Sequence, residues 1–238
     1  MLRVEQNEFL DSDQWSPSEV ACALGAIRRV NFFYGGNRMH TRLFERVSSR
    51  VHLERLEILE VASGRADVLQ AASRMLMQKN ISVEISLLDR SPLHLPQACD
   101  WDRALPQPTL LIGDALEIPL NDRSVDVVSC CLFLHHLSVK QAQAFLKEAL
   151  RVARVAVLVN DVERCWRNYF LSHMYRFIDP SKLSRHDGPV SVRQAYTFAE
   201  LKCLLQETGR EFELQRGYLF RLGGILWKNE PIAERACE

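Results

Sequence analysis

Apolar residues recur at helical spacing within the first 51 residues and form short runs from residue 56 onward. The first helical stretch begins at Ser16, which can cap it, and continues to about Phe33. Two glycines interrupt the period, and a second amphipathic stretch follows over residues 39–51. Because both stretches precede every strand-like run, we predict an N-terminal helical cap, residues 1–54, on a separate core, residues 55–238.

Short apolar runs then alternate with helical stretches at 67–78, 92–98 and 139–152. The runs predicted as strands are 56–61, 82–88, 109–112, 125–132, 153–159, 211–215 and 218–227. Strands that alternate with helices predict an α/β fold with a parallel sheet and helices on both faces. Only Arg216 and Gly217 join the last two runs, and so short a connection favours an antiparallel hairpin. We therefore predict a seven-stranded, mostly parallel sheet with an antiparallel C-terminal hairpin.

Composition narrows the classes of partner. The 30 Lys and Arg balance the 30 Asp and Glu, so no overall charge favours nucleic acid, and we expect no nucleic-acid partner. No run reaches the roughly 18 apolar residues that span a bilayer, and no signal-peptide pattern precedes the first helix. The seven cysteines include no CxxC pair, so we expect no disulfide framework, no metal site and a soluble, cytoplasmic protein. The oligomeric state stays open.

Candidate chemistry lies at the carboxyl ends of the predicted strands, where open α/β sheets bind ligands. A small-residue turn, 62–66, follows the first strand, Asp89 follows the second, Asp114 follows the third, and His135 and His136 follow the fourth. Taken singly, the turn also fits tight packing and Asp89 also fits a helix N-cap. Together they predict an adenosine pocket: amides facing a polar ligand, an acid for ribose hydroxyls and an acid for an exocyclic amine.

In this order the sequence resembles class I S-adenosylmethionine-dependent methyltransferases. Residues 58–66 resemble the family's first motif, an acid followed by a GxGxG turn, and residues 113–137 resemble its GDA-x-x-LPF segment with a downstream LHHL. The VND at 159–161 and the RHDGPVSVRQAY segment at 185–196 resemble a bacterial subgroup that methylates small molecules. The resemblance covers roughly residues 27–227. It implies a Rossmann-like fold, S-adenosylmethionine as cofactor and a methyltransferase activity.

The resemblance also implies a set of cofactor-binding residues. Asp89 would hold the ribose hydroxyls and Asp114 the adenine amino group. The full set is Glu60, Ala62, Ser63, Gly64, Asp89, Arg90, Asp114, Ala115, Ser129 and Cys130. The chain departs from the family in its turn, since alanine stands at the first and third glycine positions, 62 and 66. If Ala62 needs a left-handed backbone, we expect strain of about 1 kcal/mol or more.

The residues that would contact the methyl acceptor are predicted from polar side chains outside the cofactor-binding set. The candidates for proton transfer are His135, His136, His186, Asp187 and Asp161. His186 and Asp187 lie in a predicted loop bounded by glycine and proline. Residues 164–193 carry six Lys or Arg and two Asp, which fits either a solvated helix face or the binding of an anionic acceptor. Aromatic residues interleave with this charge, so we predict an acceptor-cap insertion at about 162–196. The predicted substrate-binding residues are Asn31, Tyr34, Asp161, Arg164, Arg185 and Arg193.

The leading hypothesis is in-line methyl transfer to an oxygen or carbon of a small molecule that is anionic or aromatic. A second hypothesis is a non-catalytic binding or scaffold protein, favoured by alanine at position 62. A nicotinamide oxidoreductase is a third hypothesis, against which stand the missing GxGxxG and the GDALEIP segment. A nucleic-acid methyltransferase is disfavoured by the neutral charge.

Overall fold

The computed structural model describes residues 1–12, 14–96, 100–175, 177, 179 and 181–228. Their seven-stranded sheet has the order β3-β2-β1-β4-β5-β7-β6. β1 to β5 are parallel, and β7 lies antiparallel between β5 and β6. The strands are β1 Arg55–Val61, β2 Ser82–Asp89, β3 Thr109–Ile112, β4 Val125–Cys131, β5 Ala153–Val162, β6 Phe212–Arg216 and β7 Arg221–Trp227. The predicted α/β sheet with its antiparallel C-terminal hairpin is confirmed.

The helices begin where polar caps predict them. Ser16 caps the first helix and forms a capping box with Glu19, and equivalent boxes start the fourth and seventh helices. The helices are α1 Pro17–Phe33, α2 Gly36–Val51, α3 Asp67–Gln78, α4 Val139–Val152, α5 Trp166–Tyr175, α6 Lys182–Gln194 and α7 Phe198–Gln206. Within the described ranges, no helix is both long and apolar enough to pass through a bilayer.

Two apolar clusters cover the two faces of the sheet. On one face α2 and α3 bury a shared stripe against the strands, with Leu43, Phe44 and Leu69 fully buried. On the other face α4 and α7 do the same through side chains such as Phe145 and Leu205. α2 therefore packs directly on the sheet, while α1 lies over the carboxyl ends of the strands and lines the cavity described below.

Three local predictions differ from the structure. β5 continues to Val162, because β7 pairs with it through residues 160–162, so Asp161 lies within the strand rather than after it. The segment with His186 and Asp187 is helical rather than a loop: α6 passes through Pro189. Burial of one face of this helix outweighs the local preference of glycine and proline for a turn. The predicted helix 92–98 forms turns over 92–95, and residues 97 and 98 lie outside the described residues.

Candidate functional site

A cavity of about 850 Å³ lies over the carboxyl ends of the parallel strands. The turn after β1, the ends of β2 and β3 and the segment after β4 form its floor. α1, α6 and the segment Glu5–Ser12 form its walls. Strand order reverses between β1 and β4, which is where open α/β sheets bind ligands. The volume falls in the range of about 300–1,000 Å³ typical of small-molecule sites.

The turn after β1 has a left-handed backbone at each position where the resembled motif has glycine. The φ angles are 50° at Ala62, 47° at Gly64 and 53° at Ala66. The Ser63 amide donates to the carbonyl of Leu88 at 3.2 Å, so the turn is fastened to the end of β2. Two alanines therefore hold a conformation that costs an L-residue roughly 1–2 kcal/mol.

We expect the variant Ala62→Gly to be more stable than the parent by about 0.5–1 kcal/mol, because glycine removes the left-handed strain at some cost in chain entropy. Urea unfolding measures this difference. Ala72→Gly in α3 is the matched control, since its alanine is helical and fully buried, and it should lose about 1 kcal/mol or more. Equal losses in both variants would contradict the assignment of strain to Ala62.

Acidic side chains mark the ends of β2 and β3. Asp89 lines the cavity and is only 7% exposed; its two oxygens accept from the Gly64 amide and the Ser91 amide, each at 3.1 Å. Asp114 also lines the cavity, and its Oδ1 accepts from the Leu116 amide at 2.8 Å. Both predicted acids are therefore held by backbone amides and present their carboxylates to one cavity.

The remaining predicted cofactor residues divide into two groups. Ser63, Ala115 and Arg90 line the cavity with the residues already named. Glu60, Ser129 and Cys130 do not line it, because they lie in the sheet beneath the turn. There the Ser129 hydroxyl donates to Glu60, and His40 Nε2 lies 3.4 Å from Glu60 Oε2. These side chains support the floor from below.

His135 is buried between two carboxylates. Its Nδ1 lies 2.7 Å from Asp161 Oδ1, its amide donates to Asp161 Oδ2 at 3.1 Å, and its Nε2 lies 3.5 Å from Glu8 Oε1. Burial opposes the charged ring, but Asp161 and then Glu8 outweigh it and raise the pKa of His135 to about 10. Asp161, predicted to bind substrate, instead orients His135 and does not line the cavity.

His136 is the more accessible of the two imidazoles. Its ring stacks on that of His135 at 4.3 Å between centroids, and its side chain is 22% exposed. Nδ1 lies 3.1 Å from Asp11 Oδ2, and Nε2 lies 3.9 Å from Glu8 Oε2. Both histidines, which were predicted as candidates for proton transfer, line the cavity. Glu8 and Asp11 were not predicted, because no periodic or motif signal marks the segment that carries them.

α6 holds that N-terminal segment in place. The Asp187 carboxylate accepts from the amides of Phe9, at 2.8 Å, and Leu10, at 3.0 Å. The His186 ring stacks on Phe9 at 3.6 Å between centroids, and its Nδ1 lies 2.8 Å from Asp187 Oδ1. Of these two predicted catalytic residues, Asp187 lines the cavity and His186 does not. Their contacts fix the wall that carries Glu8.

Arg221 is a cavity residue that the sequence interpretation missed. It is fully buried at the start of β7, and its Nη2 donates to Asn31 Oδ1 at 2.7 Å. Within the described chain its Nε and Nη1 have no hydrogen-bond partner, although the Cys131 side chain and the Asp161 carboxylate lie near enough to oppose the lowering of its pKa by burial. A Cβ on Gly36 would lie 2.5 Å from Asn31 Oδ1 and 3.0 Å from Arg221 Nη2, so this glycine makes room for the pair. The one sequence feature that could have pointed to Arg221 is an arginine at the start of an otherwise apolar strand.

The predicted basic residues lie elsewhere. Arg164 pairs with Glu200, and Nη1 donates to the Ala195 carbonyl at 3.2 Å. Arg185 and Arg193 line a separate, smaller groove of about 420 Å³. None of the three arginines lines the main cavity.

The aromatic residues of the predicted acceptor-cap insertion are divided between the cavity and solvent. Tyr34 and Tyr175 line the cavity and make an edge contact, with 5.8 Å between ring centroids. Trp166 and Phe170, by contrast, are 67% and 68% exposed. The aromatic residues of α5 therefore do not all pack in the core, and they do not all line the cavity. Asn31 and Tyr34 are the two predicted substrate-binding residues that line the cavity.

Comparison with known proteins identifies the fold. A family model described as a methyltransferase domain matches residues 58–155. The chain is similar to the plantazolicin methyltransferase BpumL in complex with a pentazolic desmethylPZN analog and SAH (TM-score 0.71, 11% identity, 93% of each chain covered). It is similar to a SAM-dependent methyltransferase from Aquifex aeolicus (0.56, 18%, 90% of this chain and 99% of that one).

A third similar structure is magnesium protoporphyrin IX methyltransferase from Synechocystis with bound SAH (TM-score 0.53, 15% identity, 81% of this chain and 84% of that one). A search of curated proteins gave no match. The domain match supports the predicted family over residues 58–155, and the shared fold confirms the predicted Rossmann-like fold. The chain contains a methyltransferase domain and has the fold of class I S-adenosylmethionine-dependent methyltransferases.

Proposed function

We propose that this chain transfers the methyl group of S-adenosylmethionine to an oxygen or carbon of a small molecule that carries an anionic group. One observation carries the proposal: a single cavity joins the turn, Asp89 and Asp114 to a fully buried arginine, Arg221. Methyl transfer is an in-line displacement, so donor and acceptor must meet in one water-poor space. The cavity provides such a space.

The residues at the strand ends fit the donor. The Asp89 carboxylate offers about four lone pairs. Two accept from backbone amides and His94 Nδ1 lies 3.3 Å from Oδ1, which still leaves acceptor capacity for the ribose hydroxyls. We assign the adenine amino group to Asp114 and the amino-acid part to the turn Ala62–Gly64, where short side chains allow close approach. When bound, S-adenosylmethionine supplies a methyl group on a cationic sulfur.

Arg221 supports an anionic acceptor. A buried guanidinium with two unbonded nitrogens has lost its hydration without full compensation, which an anionic ligand would restore. Burial accordingly lowers the pKa of Arg221. A carboxylate or phenolate matches the guanidinium geometry, and Tyr34 and Asn31 line the same cavity. The predicted acceptor contacts of Arg164, Arg185 and Arg193 stay predictions, since these residues lie outside the cavity.

Ligand binding and transfer test the proposal separately. We expect S-adenosylhomocysteine to raise the melting temperature and to give a calorimetric binding isotherm, whereas NADH should do neither. Methyl transfer from radiolabelled S-adenosylmethionine is then measured on paired acceptors that share the same free hydroxyl and differ in a second group, a carboxylate in one member and its neutral primary amide in the other. Transfer should favour the anionic member of each pair.

Two outcomes would favour the other hypotheses. Stabilisation by NADH instead of S-adenosylhomocysteine would support the oxidoreductase. Tight cofactor binding without transfer to any acceptor would support the non-catalytic binding protein, which the strained Ala62 also fits. The division into a cap at 1–54, a core at 55–238 and an insertion at 162–196, and the cytoplasmic location, stay predictions.

A further inference from the structure

Two imidazoles converge on one buried carboxylate beside the cavity. Nε2 of His135 lies 3.5 Å from Glu8 Oε1, and Nε2 of His136 lies 3.9 Å from Glu8 Oε2. One ligand atom from each of the three residues lies within 4.8 Å of the others. Both distances exceed the usual range of an N–H···O hydrogen bond, about 2.7–3.2 Å. They are closer to the separation of about 3.4 Å between two ligands of a tetrahedral ion with bonds near 2.0–2.1 Å.

A second carboxylate orients each imidazole through its other nitrogen. Asp161 lies 2.7 Å from Nδ1 of His135, and Asp11 lies 3.1 Å from Nδ1 of His136. These two contacts are within hydrogen-bond range, so each ring is held with Nε2 toward Glu8. Metal-ligating histidines are typically fixed in this way, with a carboxylate on the nitrogen that does not bind the ion.

The shared carboxylate is itself held by α6. Glu8 is 6% exposed, and its Oε1 accepts from the Ser191 hydroxyl at 2.6 Å and from Gln194 Nε2 at 3.3 Å. Such hydrogen bonds to a ligating carboxylate complete the outer shell of a metal site. Since Glu8, His135 and His136 all line the cavity, an ion among them would have one side open to it.

We propose that Glu8, His135 and His136 bind one divalent transition-metal ion of the Zn²⁺ type, with a fourth position open to the cavity. The expectation of no metal site came from the absence of a CxxC pair among the cysteines. The ligands instead come from the N-terminal segment and from the short 3-10 helix Leu134–His136 after β4. The open position suits an oxygen or other donor atom of the acceptor, and this last role rests on the proposed function. Metal binding itself does not.

Titration of the metal-free full-length chain with Zn²⁺ and with Co²⁺ tests the site. We expect one bound ion per chain, and a Co²⁺ spectrum with d–d bands but without the sulfur-to-metal charge-transfer band of a cysteine ligand. Glu8→Gln should lower the affinity by about 100-fold or more, and Asp161→Asn by about 10- to 100-fold. Zn²⁺ should raise the melting temperature of the parent and not that of Glu8→Gln.

Matched controls replace a carboxylate and a histidine outside the cluster: Glu54→Gln, which is exposed, and His173→Gln, which lies by the smaller groove. Both should bind Zn²⁺ as the parent does. Three outcomes would overturn the proposal: no stoichiometric binding, equal affinity in Glu8→Gln, or a sulfur-to-metal charge-transfer band. The three residues would then be an ion-paired cluster, and any bound metal would be adventitious. If Glu8→Gln does not fold, the more accessible His136→Gln replaces it. Loss of S-adenosylhomocysteine binding with intact metal binding would count against the proposed function alone.

Discussion

Replacing Arg221 with methionine is expected to remove most of the affinity for an anionic acceptor while leaving the fold as stable as the parent or more stable. Exchange of incompletely compensated buried charges for apolar side chains is often neutral or stabilising by about 1–4 kcal/mol. Loss of a desolvated charge contact with a ligand costs about 2–5 kcal/mol, or roughly 30-fold or more in affinity. The two effects have opposite signs because this guanidinium lacks partners for two of its nitrogens among the described residues.

Urea unfolding and the acceptor KM measure these two effects in the same variant. Arg216→Met is the control, since Arg216 is exposed and pairs with Glu163 at the end of the neighbouring strand β6. It should change the KM little and the stability by no more than about 1 kcal/mol. A large loss of stability in Arg221→Met with an unchanged KM would show that Arg221 is a structural residue and would remove the argument for an anionic acceptor.

Asp89→Ala is expected to weaken S-adenosylhomocysteine binding by about 100-fold or more. Each hydrogen bond to a charged group contributes roughly 1.5–3 kcal/mol, and the carboxylate is assigned two ribose hydroxyls. The substitution also leaves the Gly64 and Ser91 amides without their acceptor, so the turn keeps only the Ser63–Leu88 backbone bond to β2. We therefore expect the free energy of unfolding to fall by about 1–3 kcal/mol as well.

Calorimetry separates the two losses when it is performed well below the melting temperature of the variant. Asp89→Asn keeps one acceptor oxygen and the shape of the side chain, so it should bind more weakly than the parent and more tightly than Asp89→Ala. Asp122→Ala, an exposed aspartate paired with Arg151, is the control. Unchanged affinity in Asp89→Ala would exclude the assigned ribose contact.

The parts of the fold that could be predicted are those whose signal is local. α3, α4 and β3 have the predicted boundaries, because apolar periodicity and caps define them without reference to the rest of the chain. Asp89 and Asp114 could be placed at one edge of the sheet for the same reason, since parallel strands end on the same side. β5 ran longer than predicted because its last residues owe their extended conformation to pairing with β7.

The unpredicted residues owe their position to contacts between distant segments. Glu8 enters the site through hydrogen bonds to Ser191 and Gln194, and no pattern within residues 1–12 signals this. Arg221 is buried because Asn31 on α1 accepts from it and Gly36 leaves space. Arg164 likewise owes its place outside the cavity to a distant segment, because it pairs with Glu200 on α7.

The wall formed by the N-terminal segment has a consequence for synthesis on the ribosome. Glu8 and its neighbours are made well before the Asp187 carboxylate that anchors them, and Arg221 is made later still. Because domains generally fold as units, this segment stays unattached until α6 has been made. The wall between residues 5–12 and α6 therefore forms late in translation, when two segments far apart in the sequence meet.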